Sequence, residues 1–194
     1  MATEKVKKEI DKICDLLNLP VVAKEEALKI YEEVEEKGLF RGRTTEGVIA
    51  TVIYITIRKL NIPRNLDEIE KASGVDQKVI ISYFRDFFKK LNIKLPPVDV
   101  KDFVVRIGHE INASEETIKK AVEIVENAKE KGIILGRDPN GVASASLYLA
   151  SIITGEKIDY DKLLTVAGIT AMTLRSRFKE LIKTLKIEVP PQYL

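Results

Sequence analysis

The sequence predicts an all-α chain built as two tandem five-helix units, each ending in a helix-turn-helix, and three observations carry that expectation. An internal repeat runs the length of the chain: Gly42-Arg43, Gly47-Val48 and Tyr54 return 94 positions later as Gly136-Arg137, Gly141-Val142 and Tyr148. The same offset carries Gly38 to Gly132, Gly74 to Gly168, Phe84 to Phe178, Leu91 to Leu185 and Pro96-Pro97 to Pro190-Pro191. Apolar residues recur at helical spacing, and no period-two alternation is long enough for a sheet. One segment in each unit, Val48 to Ile57 and Val142 to Ala150, is apolar on nearly all faces, which is the pattern of a helix surrounded by others. The units are expected at 1–98 and 99–194, joined at Pro96-Pro97 with little or no flexible linker.

Taken in order, the helices of the second unit are expected at 99–111, 114–131, 138–154, 159–167 and 170–186. Ser114 can cap the second, Asp138 followed by Pro139 suits the start of the third, and Thr170 can cap the fifth. Gly132, beside Lys131, reads as a C-terminal stop for the second helix. The third is the central helix. In both units the last two helices are separated by a short glycine turn, Gly74-Val75 and Gly168-Ile169, which is helix-turn-helix spacing.

Composition excludes several classes. With 45% hydrophobic and 32% charged residues the 194-residue chain can bury a core and is not a disordered one. A single cysteine, Cys14, forms neither an internal disulfide nor a Cys-rich zinc site, so a reducing, cytoplasmic compartment is expected and no metal or other cofactor is. No stretch approaches the length of a membrane span. One His and one Cys assemble no nucleophile, base and orienter, so no enzyme is expected. His109 reads as a surface or boundary histidine and Cys14 as an inert core thiol. The runs Glu25-Glu26, Glu32-Glu33 and Glu35-Glu36 interleave with lysines as on a solvated helix face. Gly42-Arg43-Thr44-Thr45-Glu46-Gly47 has the glycine spacing of a phosphate-binding loop, but Val48-Ile49 stands where Lys and Ser/Thr are needed.

Binding is better supported than catalysis. The net charge of +2 makes a weak global field, so any polyanion must be steered by local clusters. Residues 159–187 hold six basic side chains against three acidic ones, whereas the equivalent 65–93 hold five of each. On the last helix Leu174, Phe178, Leu181, Ile182 and Leu185 form an inward stripe. Thr170, Thr173, Arg175, Ser176 and Arg177 are left outside, where a recognition helix meets base edges. Arg175 could fork onto guanine, and Lys179 and Lys183 could neutralise phosphates. In the first unit the same helix is expected to expose Tyr83, Asp86, Phe87 and Phe88, a mix suited to packing or to a protein partner. The alternative to DNA recognition is therefore an adaptor that binds a protein.

These residues resemble a known family, the core of transcription factor IIB and its archaeal counterpart, transcription factor B. The resemblance rests on Lys37-Gly38-Leu39-Phe40-Arg41-Gly42-Arg43, on Ile62-Pro63-Arg64-Asn65-Leu66-Asp67-Glu68-Ile69, on 141–151, and on Thr173-Leu174-Arg175-Ser176-Arg177-Phe178-Lys179-Glu180-Leu181, in the family's order. It implies two cyclin-like repeats of five helices. It also implies binding to a TATA-binding protein seated on promoter double-stranded DNA, contact with DNA on both sides of the TATA box, and recruitment of RNA polymerase in the nucleoid or nucleus. The family's valine-threonine-x-arginine segment, which reads the upstream element, falls on Met172, Thr173, Leu174 and Arg175, and its minor-groove loop falls on Gly42-Arg43. The glycine-arginine pair near the TATA-binding protein becomes Ile81-Ser82, which leaves Lys78, Ser82 and Arg85 as the partner-facing residues. The paired Cys-x-x-Cys motifs of the family's zinc ribbon are missing from the sequence, as expected of a core fragment or of a divergent paralogue. A monomer is the expected state.

Overall fold

The computed structural model describes residues 4–193. Among them the chain forms ten α-helices, a final 3-10 turn at Pro191–Tyr193, and no strand. It divides into two compact units, Met1–Pro97 and Val98–Leu194. The first contains α1 (Glu4–Leu16), α2 (Val21–Glu36), α3 (Thr45–Lys59), α4 (Leu66–Ser73) and α5 (Gln77–Lys90). The second contains α6 (Val100–Glu110), α7 (Glu115–Glu130), α8 (Pro139–Thr154), α9 (Tyr160–Ala167) and α10 (Ala171–Leu185). None of these helices is long and apolar enough to cross a membrane.

The caps sit where local chemistry allows. Ser114, Asp138 and Thr170 each accept the backbone N–H three residues on, satisfying a donor that the first turn of a helix leaves without a partner. Asn65 and Glu68 close a reciprocal capping box at the start of α4. The duplication extends to the left-handed turns. Every described residue in the left-handed region has its counterpart 94 positions away: Asn18 and Asn112, Gly38 and Gly132, Gly42 and Gly136, Asn61 and Gly155, Gly74 and Gly168, Asn92 and Lys186. The two copies therefore turn at the same places even where the residue type has changed.

The central helices are α3 and α8. Residues 47–57 of α3 are buried without interruption, as are residues 140–147 of α8, which explains why neither shows a polar face in sequence. Around α3 pack Ile10, Ile30, Ile69, Ile80 and Phe87; around α8 pack Ile107, Ile124, Leu163, Leu174 and Phe178. Burying each such side chain stabilises by about 1.5–3 kcal/mol before the entropy of ordering is subtracted. Cys14 is fully buried, and burial pushes its thiol up to about 11, so it is a packing residue that stays protonated.

One expectation is corrected here. Phe87 is not part of an exposed aromatic group but lies wholly inside the first core, and Tyr83 is half-buried. Phe87 falls at helical spacing with Ile80, Phe84 and Leu91, so the inward stripe of α5 carries it into the core and leaves Phe88 at the rim.

Candidate nucleic-acid interface

The helix-turn-helix of the second unit is built by three local devices. Asp159 caps α9 by accepting from the Lys162 N–H at 2.9 Å. Gly168 then ends α9 at φ 64°, and the Ile169 N–H donates to the Leu164 carbonyl at 3.2 Å, which is the Schellman closure that a left-handed residue permits. Thr170 opens α10, its Oγ1 accepting from the Thr173 N–H at 3.2 Å and lying 3.0 Å from Thr173 Oγ1. The two threonines thus fix the start of α10, with Thr170 exposed and Thr173 half-buried.

Beyond the cap, Met172, Arg175, Ser176, Lys179 and Lys183 are all exposed. Their spacing of three and four residues puts them on one face. Met172 is 82% exposed, unusual for an apolar side chain, and the first turn of α10 contains no carboxylate. Behind this face Leu174, Phe178 and Leu181 anchor the helix in the core. Arg175 also forms one wall of a cavity of about 480 Å³, with Tyr148, Tyr160, Phe178 and Tyr193 among the others.

The remaining basic candidates are arranged differently. Arg177 is half-buried and pairs through Nη1 with Glu180 Oε2, while Arg137 Nη2 donates to Glu180 Oε1 at 2.7 Å. Arg43 is likewise engaged. It donates to the Leu39 carbonyl at 2.7 Å and to Asp86 Oδ2 at 2.5 Å, with its guanidinium 5.3 Å from the Tyr83 ring centre and 5.4 Å from that of Phe87. In the same loop it is Arg41 that stands exposed beside the exposed Gly42. Sequence reasoning passed over Arg41 because the repeated Gly-Arg pair drew attention to its neighbour.

In the first unit Lys78, Ser82 and Arg85 lie at four- and three-residue spacing on one exposed face of α5, continued by Lys89. They occupy the positions that Met172, Ser176, Lys179 and Lys183 take in α10. The difference is at Ile81, which packs against the core where α10 has the exposed Arg175. His109 is exposed near Glu115, 3.3 Å away, and takes no part in either face.

Gly47 and Gly141 explain how these last helices approach the central ones so closely. A Cβ on Gly47 would stand 2.6 Å from a Tyr83 ring carbon, and one on Gly141 would stand 3.3 Å from the Thr173 methyl and 3.5 Å from Arg177 Cγ. Glycine at the start of α3 and α8 therefore sets the distance at which α5 and α10 dock.

The two-unit helical fold agrees with the comparisons. The profile of the transcription factor TFIIB repeat matches residues 1–90 and again 93–184, and the chain belongs to that family. It is 41% identical over 184 residues to the transcription initiation factor IIB of Sulfurisphaera tokodaii, covering 95% of this chain and 60% of that protein. It is 44% identical over 181 residues to the one from Methanocaldococcus jannaschii, covering 93% of this chain and 27% of that protein. The factor of Archaeoglobus fulgidus is 41% identical over 181 residues, 93% of this chain and 56% of that protein. The chain thus spans less than two thirds of the length of these relatives.

Proposed function

We propose that the chain is the two-repeat core of a general transcription initiation factor. In this reading it docks on a TATA-binding protein already seated on promoter DNA, reads the DNA beside the TATA box, and helps to recruit RNA polymerase. The observation that carries the reading is the exposed, carboxylate-free first turn of α10, followed by one face holding Met172, Arg175, Ser176, Lys179 and Lys183. Arg175 is placed to fork onto a base edge, and a methyl of Thr170 or Thr173 or the Met172 side chain to meet thymine. Ser176, Lys179 and Lys183 would contact the backbone and fix the register.

The equivalent face of α5, with Lys78, Ser82 and Arg85, would meet an acidic surface of the TATA-binding protein. The loop before α3 would approach DNA on the other side of the TATA box through the Gly42 backbone and Arg41, because Arg43 is committed to Asp86. The protein-adaptor alternative loses one of its motives, since Phe87 is a core residue.

Footprinting tests this reading. A TATA-containing promoter bound by its TATA-binding protein should gain protection beside the TATA box when the chain is added, and Arg175→Ala should remove it on one side. An unchanged footprint would refute the assignment.

A further inference from the structure

Glu180 sits among the cations of α10, on the residue after the exposed Lys179, and divides its carboxylate between two arginines. Oε1 accepts from Arg137 at 2.7 Å and Oε2 from Arg177. Arg137 comes from the loop before α8, so it fixes the carboxylate from a second element, and the carboxylate in turn fixes Arg177. The Arg177 side chain, its stem beside Gly141 of α8 and its guanidinium on Glu180, is 22% exposed, while Arg175, Ser176 and Lys179 stand out in solvent. The first unit repeats the device: Asp86, one residue after the exposed Arg85, holds Arg43 at 2.5 Å and Lys90 at 3.0 Å through the same oxygen.

A guanidinium already bonded to a carboxylate must surrender a charge-assisted bond before it can take a phosphate, and the carboxylate itself repels the DNA backbone. A free arginine beside a duplex binds any sequence, because phosphates carry no sequence information. Selectivity is a difference of affinities, so suppressing sequence-blind attraction raises it as effectively as adding a base contact.

We propose that Glu180 is a specificity-determining residue: by holding Arg177 away from the DNA backbone it keeps sequence-blind binding weak and leaves discrimination to Arg175 and its exposed neighbours. The proposal rests on the DNA-binding reading of α10 given above. It assigns opposite parts to two arginines separated by one residue.

The test is anisotropy of two labelled duplexes, a TATA-containing promoter and the same promoter with the bases flanking its TATA box scrambled. Each is titrated at several salt concentrations with the TATA-binding protein present. Glu180→Gln is expected to bind the scrambled duplex about tenfold more tightly and to steepen the dependence of log K on log salt by about 1. It should also narrow the ratio between the two duplexes, and adding Arg177→Ala should reverse the gain. Glu180→Asp, which keeps the charge on a side chain one methylene shorter, should fall between Glu180→Gln and the unaltered chain. Residue 180 lies half-exposed on the helix, so neither change empties the core. Binding of the scrambled duplex that is unchanged or weaker in Glu180→Gln overturns the proposal; a weaker result would mean that Glu180 presents Arg177 to the backbone. Failure of the unaltered chain to bind the promoter duplex at all is a separate outcome that removes the underlying reading and this one with it.

Discussion

Arg43 reaches 43 positions along the chain to place Nη2 2.5 Å from Asp86 Oδ2, and the second unit repeats the bond between Arg137 and Glu180 at 2.7 Å over the same separation. Each pair ties the loop before the central helix to the last helix of its own unit. In the first unit Tyr83 and Phe87 flank the guanidinium, and in the second Arg177 takes the place of Tyr83. The clasp is common to both units, while its surroundings are aromatic in the first and basic in the second.

Removing the carboxylate in the first unit should cost stability. Asp86→Ala leaves a mostly buried guanidinium facing two rings without its counter-charge, and a charge-assisted bond of this kind contributes about 1–3 kcal/mol. Denaturant unfolding should show a lower midpoint at an unchanged slope. A midpoint equal to that of the unaltered chain would mean that the pair is not a clasp.

A gain is expected at Ser144. Its hydroxyl is buried on α8 with no hydrogen-bond partner among the described residues, and the equivalent position of α3 is the equally buried Ala50. Ser144→Ala removes a desolvated polar atom and raises helix propensity, so the melting temperature should rise by an amount corresponding to about 1 kcal/mol. A fall would show that the hydroxyl is satisfied in solution.

Glu156 gives a pH dependence with a definite sign. Partial burial raises its pKa, but hydrogen bonds from Thr117, the Ser114 side chain and the Ser114 N–H outweigh that and hold the carboxyl below its ordinary value of 4.5. The depressed value means that its contribution is complete above the ordinary glutamate range and is lost as pH falls through the folded-state pKa. Glu156→Gln should be less stable than the unaltered chain at neutral pH, and the gap should close on acidification below 4.5. Thermal melts of both proteins across that range check it; a gap that stays constant would exclude the carboxylate as its cause.

Two substitutions on α10 should separate base reading from backbone contact. Arg175→Ala should lose about 1–3 kcal/mol of discrimination at one base pair, while Lys179→Ala should weaken all duplexes alike and flatten the log K against log salt slope by about 0.9. Identical effects on selectivity from both would show that Arg175 contacts only phosphate.

The all-α architecture was legible in the chain because its signals are local. Ser114, Asp138 and Thr170 announce helix starts within three residues, and the glycine turns at Gly42 and Gly74 return in the second copy as Gly136 and Gly168. Even the turns at Asn18 and Asn112 repeat in residue type. The exposed stripe of α10 followed from helical spacing once Leu174 and Phe178 were recognised as inward. Arg177 and Glu180 stand three residues apart on one helix, and their pairing was within reach of the spacing rule. The engagement of Arg43 and Arg137 was not legible from spacing, because their partners Asp86 and Glu180 lie 43 positions along the chain and meet them only after packing. A signal was nonetheless present: opposite charges recur together at 43 and 86 and again at 137 and 180, while most surface positions between the copies have drifted. Phe87 was misread because the doublet Phe87-Phe88 has one member on each side of the boundary between core and rim.

The most direct test of the account is the anisotropy of a labelled TATA-containing promoter duplex titrated with this chain, with and without a TATA-binding protein, at two salt concentrations. Weak, salt-sensitive binding alone that becomes tight and sequence-dependent when the TATA-binding protein is present is the predicted result. Equal affinity with and without that protein, at both salt concentrations and for any flanking sequence, would contradict it.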